Sequence, residues 1–284
     1  MRPLAKLRIF INVPCKNVRR PPPHYRDPAF SRLASQRRGM GFERRPELGR
    51  LSIMEKAAYV REMFASIAPR YDATNRLLTG GVDESWRRRA VRELAAPRGG
   101  RVLDLCCGTG DLSFHLLRSD PSLHVSGVDF CEPMLAGARR RAPREAAGRD
   151  VSFSQADVMA LPFPDASFDG AIMGFSMRNV VDIVTTLREA RRVLRPGMRF
   201  VNLDVSKAPN RLFKRAFDVY FYGLVPLIGG LVGGSKSAYA YLPNSLTNFP
   251  GAEELAQRFT TAGFRESRFI RLAGGAIAVH VGVA

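Results

Sequence analysis

A short glycine-containing turn in the middle of the sequence has the composition of a ligand-binding loop. The turn Gly108-Thr109-Gly110 follows the apolar segment Val102–Leu105 directly. Glycine lets the backbone approach a ligand without a Cβ in the way, and a strand-to-helix turn of this kind lies at the carboxyl end of a parallel sheet, where ligands bind. A dinucleotide-binding turn would have a third glycine three positions further on. Ser113 stands there, which weakens the case for a diphosphate ligand.

Three aspartates lie on successive predicted strands around this turn. Asp104 precedes the turn, and Asp129 stands 19 residues after Gly110, the position from which a carboxylate accepts hydrogen bonds from both hydroxyls of an adenosine ribose. Asp157 ends the next strand and could accept the exocyclic amine of adenine. Asp129 or Asp157 alone could be a helix cap. Together with the turn they predict a nucleoside-containing ligand, for which S-adenosylmethionine is the interpretation adopted here.

Strands and helices alternate around these residues in the order that produces a parallel sheet with helices on both faces. The sequence therefore predicts an α/β, doubly wound, Rossmann-like domain of the class I S-adenosylmethionine-dependent type, with a mostly parallel sheet and an antiparallel C-terminal strand. The predicted strands are 101–105, 124–128, 151–155, 168–174, 200–204, 264–271 and 276–283, and the predicted helices are 84–94, 112–118, 133–141, 183–194 and 252–262. Before them, Val60, Met63, Phe64 and Ile67 recur at helical spacing, followed by a polar stretch from Tyr71 to Asn75.

Residues 1–53 differ in composition from the rest. They hold 13 of the lysines and arginines against three acidic residues, so this fifth of the chain supplies +10 of the net charge of +18. Neither the 3.6-residue periodicity of a helix nor the two-residue periodicity of a strand runs through them. We expect a disordered basic extension, with one folded domain over residues 54–284. Two accounts stay open: an organelle transit peptide, or upstream sequence translated from a start codon set too early. The second is preferred because Met54 opens a helical pattern and serines are few.

The distribution of charge and the number of cysteines indicate which binding partners and which cellular compartment to expect. Most excess charge lies in the unpatterned extension, so we expect no nucleic-acid partner despite the basic composition. The four cysteines show neither metal-ligand spacing nor the density of a secreted disulfide scaffold, which favours a reducing compartment and no metal. The longest apolar run, roughly 219–234, contains Pro226 and falls short of the ~20 residues that cross a bilayer. We expect a cytoplasmic protein; peripheral contact with a membrane surface, or import into a chloroplast or mitochondrion, are alternatives.

Several motifs resemble those of the ubiquinone/menaquinone biosynthesis C-methyltransferase family over about residues 60–284. They are Phe64–Asn75, Trp86, Leu103–Leu112, Ala160–Asp165 with Phe168-Asp169, Arg178-Asn179-Val180 and Arg192–Gly197. The carboxyl end, from Asn248-Phe249-Pro250-Gly251 onward, is most similar to the demethylmenaquinone methyltransferases of bacteria. The resemblance implies C-methylation of a prenylated quinol with S-adenosylmethionine as methyl donor. It places cofactor contacts on Thr109, Asp129, and Asp157 with Val158.

Two residues just after the fourth strand are the candidates for catalysis. Arg178 could stabilise a developing naphtholate or orient a water that accepts the proton, and Asn179 stands beside it. A permanently charged guanidinium is an unlikely base. The alternative is that Arg178 simply pairs with an acid such as Asp182. The predicted cofactor-binding residues are Asp104, Gly108, Thr109, Gly110, Asp129, Asp157, Val158 and Gly174.

Other residues have both a functional and a structural interpretation. Tyr71, Asp72 and Asn75 could close the cofactor pocket, or could simply end a helix. His280 is expected to be a packed histidine rather than a base. The apolar insertion 212–246 could form a lid over a prenyl tail, or could be ordinary core. Cys106 and Cys107 are expected to be small packing residues.

The substrate ring is not determined by these patterns. A demethylated naphthoquinol of menaquinone biosynthesis is the first choice, with a benzoquinol of the ubiquinone pathway or a phytylated naphthoquinol as alternatives. A nicotinamide-dependent oxidoreductase is disfavoured by the missing third glycine. A nucleic-acid methyltransferase is disfavoured because Gly174–Asn179 lacks the Asn/Asp-Pro-Pro-aromatic motif that such enzymes often carry after the fourth strand.

Overall fold

The computed structural model describes residues 53–210, 219–225, 245–247 and 249–284. The predicted N-terminal extension and most of the apolar insertion 212–246 lie outside these ranges. The predictions made for those two segments therefore stay predictions.

The described chain begins with three helices. They are α1 (Ile53–Ile67), α2 (Tyr71–Thr79, after a 3₁₀ turn at Ala68–Arg70) and α3 (Asp83–Leu94). In α1, Val60, Met63 and Ile67 are buried, as their spacing predicts. Helix α2 was not predicted, because its polar sequence resembles a loop. It ends at Gly80, whose left-handed φ of 59° lets its N–H bond back to the last turn.

In the part of the chain that the structure describes, seven strands form one mixed sheet in the order β3-β2-β1-β4-β5-β7-β6. They are β1 (Arg101–Leu105), β2 (His124–Asp129), β3 (Val151–Gln155), β4 (Gly170–Gly174), β5 (Arg199–Val205), β6 (Arg265–Leu272) and β7 (Ile277–Val283). Strands β1 to β5 pair in parallel, and β7 runs antiparallel between β5 and β6. The predicted fold class is confirmed.

Helices cover both faces of the sheet and produce two buried clusters. Helices α3 and α4 (Asp111–Ser119) pack on one face, and α6 (Ile183–Val193) and α7 (Ala252–Thr261) on the other. Along β1, Val102 joins the first cluster while Leu103 and Leu105 join the second. Burial on both faces explains why the central strand β4 is almost continuously apolar, whereas β3 at the edge of the sheet is polar and partly exposed. Helix α5 (Glu132–Glu145) connects β2 to β3.

The parallel strands end together at one edge of the sheet. Leu105 pairs with Val128 of β2 and with Met173 of β4, so the segments that follow these strands emerge side by side. This edge carries the glycine turn, the end of β2 at Asp129 and the start of the loop after Gly174.

Candidate active site

A cavity of about 450 Å³ opens at the carboxyl edge of the sheet. Its lining comes from the ends of β1, β2 and β4, the segment after β3, and helices α1 and α2. Most of the predicted cofactor residues line it together with Asn179: Asp104, Gly108, Thr109, Asp129, Asp157, Val158 and Gly174. Gly110 and Arg178 are not among the lining residues.

The glycine turn adopts left-handed backbone at three positions, with φ of 53° at Cys106, 55° at Gly108 and 87° at Gly110. A Cβ added to Gly108 would meet nothing within 4 Å and would project into open space. A Cβ on Gly110 would lie 2.9 Å from the Phe114 ring. Gly108 therefore leaves room for a ligand, whereas Gly110 allows the turn to pack against α4.

Asp129 is held by the backbone around it. Its Oδ2 accepts a hydrogen bond from the Gly108 N–H at 2.9 Å, and its Oδ1 accepts one from the Cys131 N–H at 2.8 Å. Burial raises the pKa of Asp129 to about 6, against the lowering effect of these N–H donors. A carboxylate oxygen can accept more than one hydrogen bond. The fixed carboxylate thus retains capacity for the two hydroxyls of a ribose.

Asp104 has one oxygen without a partner. Its Oδ2 accepts a hydrogen bond from Ser113 Oγ at 2.6 Å, while its Oδ1 is buried and has no hydrogen bond among the described residues. Burial raises the pKa of this carboxyl to about 7. A buried acceptor left unpaired is unfavourable unless something binds to it. The side chain is therefore suited to a cationic or hydrogen-bond-donating part of a ligand, and Ser113 orients it.

The remaining predicted residues lie on two loops. Asp157 accepts the Met159 N–H at 2.8 Å, which forms a tight turn after β3 and presents Asp157 and Val158 to the cavity. Asn179 belongs to a 3₁₀ turn, Met177–Asn179, after β4. Neither polar atom of the Asn179 side chain has a hydrogen-bond partner in the described structure, although both are buried. Like Asp104 Oδ1, they are available to a ligand.

Arg178 points into the protein rather than into the cavity. Its Nη1 donates to Asp204 Oδ1 at 2.5 Å and to the Phe175 carbonyl oxygen at 2.6 Å, and its backbone N–H donates to Asp204 Oδ2 at 3.3 Å. The paired side chains are only 6% and 2% exposed. Arg178 thus pairs with an acid, but with Asp204 of β5. The acid considered from the sequence, Asp182, instead caps α6 by accepting the Thr185 N–H.

This ion pair supports an unusual backbone conformation. Phe175 has a left-handed φ of 56°, which is costly for a bulky residue and is concentrated at functional sites. Arg178 binds the carbonyl oxygen of Phe175, and the Phe175 N–H donates to Leu203 O at 2.6 Å. The geometry gives Arg178 the role of holding the loop that carries Asn179.

An ion-pair network joins α2 to the glycine turn. Asp72 Oδ1 accepts a hydrogen bond from Thr109 Oγ1 at 2.5 Å, and Asp72 Oδ2 pairs with Arg141 Nη1 at 2.8 Å. Arg141 also pairs with Asp111 at 2.7 Å, and Arg87 lies 3.6 Å from the same carboxylate. The sequence pointed to Asp72 but not to these arginines, because no spacing rule connects residues 69 positions apart. The network closes one side of the cavity.

The surroundings of Tyr71, Cys106 and His280 indicate what each side chain does. Tyr71 lines the cavity, and burial raises the pKa of its hydroxyl while nearby Arg178 lowers it. Burial also raises the pKa of the Cys106 thiol well above its usual range, which fits a packing residue better than a nucleophile. His280 Nε2 donates to the Ala252 carbonyl oxygen at 2.9 Å away from the cavity, and burial lowers the pKa of its ring to about 4.

No group of three or more His, Cys, Asp or Glu side chains in the described ranges is placed to hold a metal ion. None of the helices described is both long and apolar enough to cross a membrane.

The strand order, the glycine turn and the acidic residues at the carboxyl edge define an S-adenosylmethionine-dependent methyltransferase of the Rossmann-like class. Solved structures share this fold. A Thermotoga maritima S-adenosylmethionine-dependent methyltransferase superposes with a TM-score of 0.58 at 22% identity, covering 78% of this chain and 98% of that one. The [4+2]-cyclase SpnF superposes with a TM-score of 0.59 at 19% identity, covering 80% and 96%.

The chain belongs to the ubiE/COQ5 methyltransferase family, whose model matches residues 52–284. It is 46% identical over 220 residues to the demethylmenaquinone methyltransferase of Thermus thermophilus, covering 78% of this chain and 99% of the relative. It is 43% identical to that of Deinococcus radiodurans (86% and 99% covered) and 45% identical to the ubiquinone/menaquinone biosynthesis C-methyltransferase UbiE of Geobacter sulfurreducens (76% and 84% covered). The resemblance noted from the motifs is confirmed.

Proposed function

We propose that this protein transfers a methyl group from S-adenosylmethionine to a ring carbon of a prenylated quinol, with a demethylated naphthoquinol of menaquinone biosynthesis as its substrate. The observation that carries the proposal is the composition of the cavity lining. Three carboxylates, Asp104, Asp129 and Asp157, line the same cavity as a set of apolar and aromatic side chains. Membership of the ubiE/COQ5 family and the names of its relatives support the same chemistry.

The carboxylates of the lining fit S-adenosylmethionine part by part. Asp129 would accept the ribose hydroxyls, and Asp157 with Val158 would contact the adenine. Asp104 Oδ1, buried and unpaired, would accept from the cationic methionine portion beside the open backbone at Gly108. When bound there, the sulfonium supplies an electrophilic methyl group.

The apolar side chains of the lining fit a flat ring with a hydrocarbon tail. Phe64, Tyr71, Phe175, Val180 and Val181 line the cavity, and such side chains exclude water and accept a hydrophobic ligand. The unpaired amide of Asn179 is the polar group that would receive a quinol hydroxyl. The protein's contribution is then to align the ring carbon with the methyl group in a dry site.

The reaction requires the quinol to lose two protons, one from a hydroxyl group and one from the ring carbon that is methylated. Loss of a hydroxyl proton makes the neighbouring ring carbon nucleophilic, and that carbon forms its new bond to the methyl group as the carbon–sulfur bond breaks. The proton on the methylated carbon then leaves, which restores the aromatic ring, and the hydroxyl is reprotonated. We propose that Asn179 holds the quinol oxygen during these steps, and that Arg178 contributes by fixing the loop that carries it.

The test is methyl transfer to reduced acceptors with a matched short prenyl chain. Demethylated naphthoquinol, the corresponding benzoquinol and a phytylated naphthoquinol are each incubated with the full chain and methyl-labelled S-adenosylmethionine, and the products are analysed by mass spectrometry. We expect label on the ring carbon of the prenylated naphthoquinol at the highest kcat/KM. Preference for the benzoquinol would assign the ubiquinone pathway instead. Label on oxygen, or transfer to none of the three, would refute C-methylation of a quinol.

A further inference from the structure

Two of the motifs that resemble those of the family contact each other in the structure. One is the segment Ala160–Asp165, and the other begins at Arg192, in the last turn of α6. The segment 160–165 follows Asp157, Val158 and Met159 directly, and these three residues line the cavity. The contacts that hold the segment in place therefore bear on the shape of the cavity.

The guanidinium of Arg192 reaches from α6 to this segment. Its Nη2 donates to the Leu161 carbonyl oxygen at 3.0 Å. Its Nη1 donates to the Phe163 carbonyl oxygen at 2.8 Å and to Asp165 Oδ1 at 2.7 Å. Arg192 thus binds three residues of one segment through two nitrogens. A lysine could not reproduce this arrangement, because all its donors radiate from one nitrogen atom.

Glu189, about one turn earlier on α6, completes the contact. Its Oε1 and Oε2 accept hydrogen bonds from Arg192 Nε at 2.7 Å and from Arg192 Nη2 at 2.8 Å. Oε2 also accepts the Leu161 N–H at 2.9 Å. Hydrogen bonding to Glu189 raises the pKa of the Arg192 guanidinium, against the lowering effect of burial. One bidentate ion pair therefore binds both backbone polar groups of Leu161. We call Glu189 and Arg192 the α6 clamp.

The turn formed by residues 157–160 lies between the α6 clamp and a second anchor. On its amino-terminal side, the Ala156 N–H donates to the Asp129 carbonyl oxygen at 3.1 Å, which ties the end of β3 to β2. Two hydrogen bonds inside the turn close it further. A turn this short, held at both ends, moves as a unit. Displacement of Leu161 would therefore displace the Asp157 carboxylate.

The α6 clamp is built into the protein but does not form part of the cavity wall. Val158 and Leu161 are buried in one apolar cluster with Leu187 of α6. Glu189 and Arg192 are 20% and 28% exposed, so their bidentate pair is partly shielded from water, which is the setting in which an ion pair fixes structure. Neither is among the described residues that line the cavity. The clamp can act on a ligand only through the turn.

We infer that Glu189 and Arg192 are positioning residues for the adenine of S-adenosylmethionine, which they serve by fixing the turn that presents Asp157 and Val158. The inference rests on the proposed function, because it takes Asp157 as the acceptor of the exocyclic amine. It assigns selectivity for the base to an ion pair on α6 that does not touch the ligand.

The experiment compares two ligands by calorimetry with the full chain. One is S-adenosylhomocysteine, and the other is its analogue in which hydrogen replaces the exocyclic amino group of the base. The wild type should bind the first about tenfold more tightly, the scale of one hydrogen bond to a charged group. In Arg192→Ala the two affinities should become nearly equal, and Arg192→Lys should lie between. A general loss of stability would weaken both ligands alike, so the ratio reports positioning.

Two further variants provide controls. Arg195→Gln breaks an ion pair with Asp169, later in the same stretch of chain but at the amino edge of the sheet, and should leave the ratio unchanged. Asp157→Ala should abolish the discrimination by itself, and Arg192→Ala added to it should lower the ratio no further. In methyl transfer, Arg192→Ala should raise KM for S-adenosylmethionine and leave kcat near the wild-type value.

The outcomes separate this inference from the proposed function. A folded Arg192→Ala variant that keeps the wild-type ratio overturns the role of the clamp and leaves cofactor binding intact. So does a ratio that Arg195→Gln lowers equally, or a wild type that binds both ligands with the same affinity. If Arg192→Ala does not fold, the ratio in Arg192→Lys decides in the same way. A wild type that binds neither ligand contradicts the proposed function and the inference together, whereas the expected ratios support the clamp even if none of the tested quinols is methylated.

Discussion

Replacement of Arg178 should lower stability and methyl transfer for one shared reason. In the wild type, Asp204 accepts hydrogen bonds from Arg178 Nη1 at 2.5 Å, from the Arg178 N–H at 3.3 Å and from the Val205 N–H at 2.8 Å. Arg178→Ala removes the only positive charge among these donors. The Asp204 carboxylate, which is only 2% exposed, is then left without a cationic partner. Breaking a buried ion pair from one side costs about 3–5 kcal/mol. We expect a fall of that size in the free energy of unfolding.

Denaturant unfolding of a matched set of variants measures this effect. Arg178→Lys keeps the charge but loses the planar guanidinium, so it should lie between the wild type and Arg178→Ala. The double variant Arg178→Met/Asp204→Leu removes both charges and should recover most of the lost stability, since no buried charge is left unpaired. Recovery in the double variant identifies the ion pair, rather than lost packing, as the source of the effect.

Single-turnover methyl transfer, measured at a temperature where every variant is folded, completes the test. Displacement of Asn179 should reduce the rate of Arg178→Ala by about 10²-fold, while S-adenosylmethionine affinity changes little. In an Asn179→Ala background, Arg178→Lys should then add almost no further loss. If Arg178→Ala unfolds at the same denaturant concentration as the wild type and yet transfers methyl poorly, the guanidinium acts on the substrate itself. That result would refute the positioning role.

Three further predictions concern the cofactor end and the extension. Asp129→Ala should weaken S-adenosylmethionine binding by about 1.5–3 kcal/mol in calorimetry; unchanged affinity would remove Asp129 from the site. Burial raises the pKa of Asp104 to about 7, so affinity for the cationic S-adenosylmethionine should rise as pH increases through about 7. The free energy of unfolding of the ligand-free wild type should decline from about pH 4 to about pH 7 relative to that of Asp104→Asn. Identical pH profiles for the wild type and Asp104→Asn would contradict this prediction. A chain starting at Met54 should keep the thermal midpoint and activity of the full chain, because residues 1–53 lack the periodicity to join a core.

The parts of the fold that the sequence predicted well are those with strong local signals. The prediction matches β1 and β3 residue for residue, since each is a short run between turn-forming segments. Helix α2 was missed because its polar sequence resembles a loop and one of the contacts that hold it is distant in the chain. Its Asp72 binds Thr109, 37 positions away, and such a contact has no local pattern.

The candidate site was predictable to the extent that it depends on strand ends. Asp104, Asp129 and Asp157 follow from the rule that parallel strands end at one edge, and they line one cavity. The partner of Arg178 was not predictable, because Asp182 is near in sequence whereas Asp204 is near in space through the pairing of β4 with β5. Which acid lies beside Arg178 depends on the path of the loop after β4.

The pairing of β1 with β4 has a consequence for how the protein opens and closes. Asp104, Asp129 and Asp157 lie on or just after strands β1 to β3, whereas Gly174 and Asn179 lie on or just after β4. These two parts of the parallel sheet join where Val102–Leu105 pairs with Gly170–Met173. A ligand that spans the cavity therefore bridges this junction. Any sub-global opening along it destroys the binding site, so ligand binding must suppress that opening as well as local motion of the loops. Amide hydrogen exchange across both strands should slow when S-adenosylmethionine is added, including at positions far from the cavity.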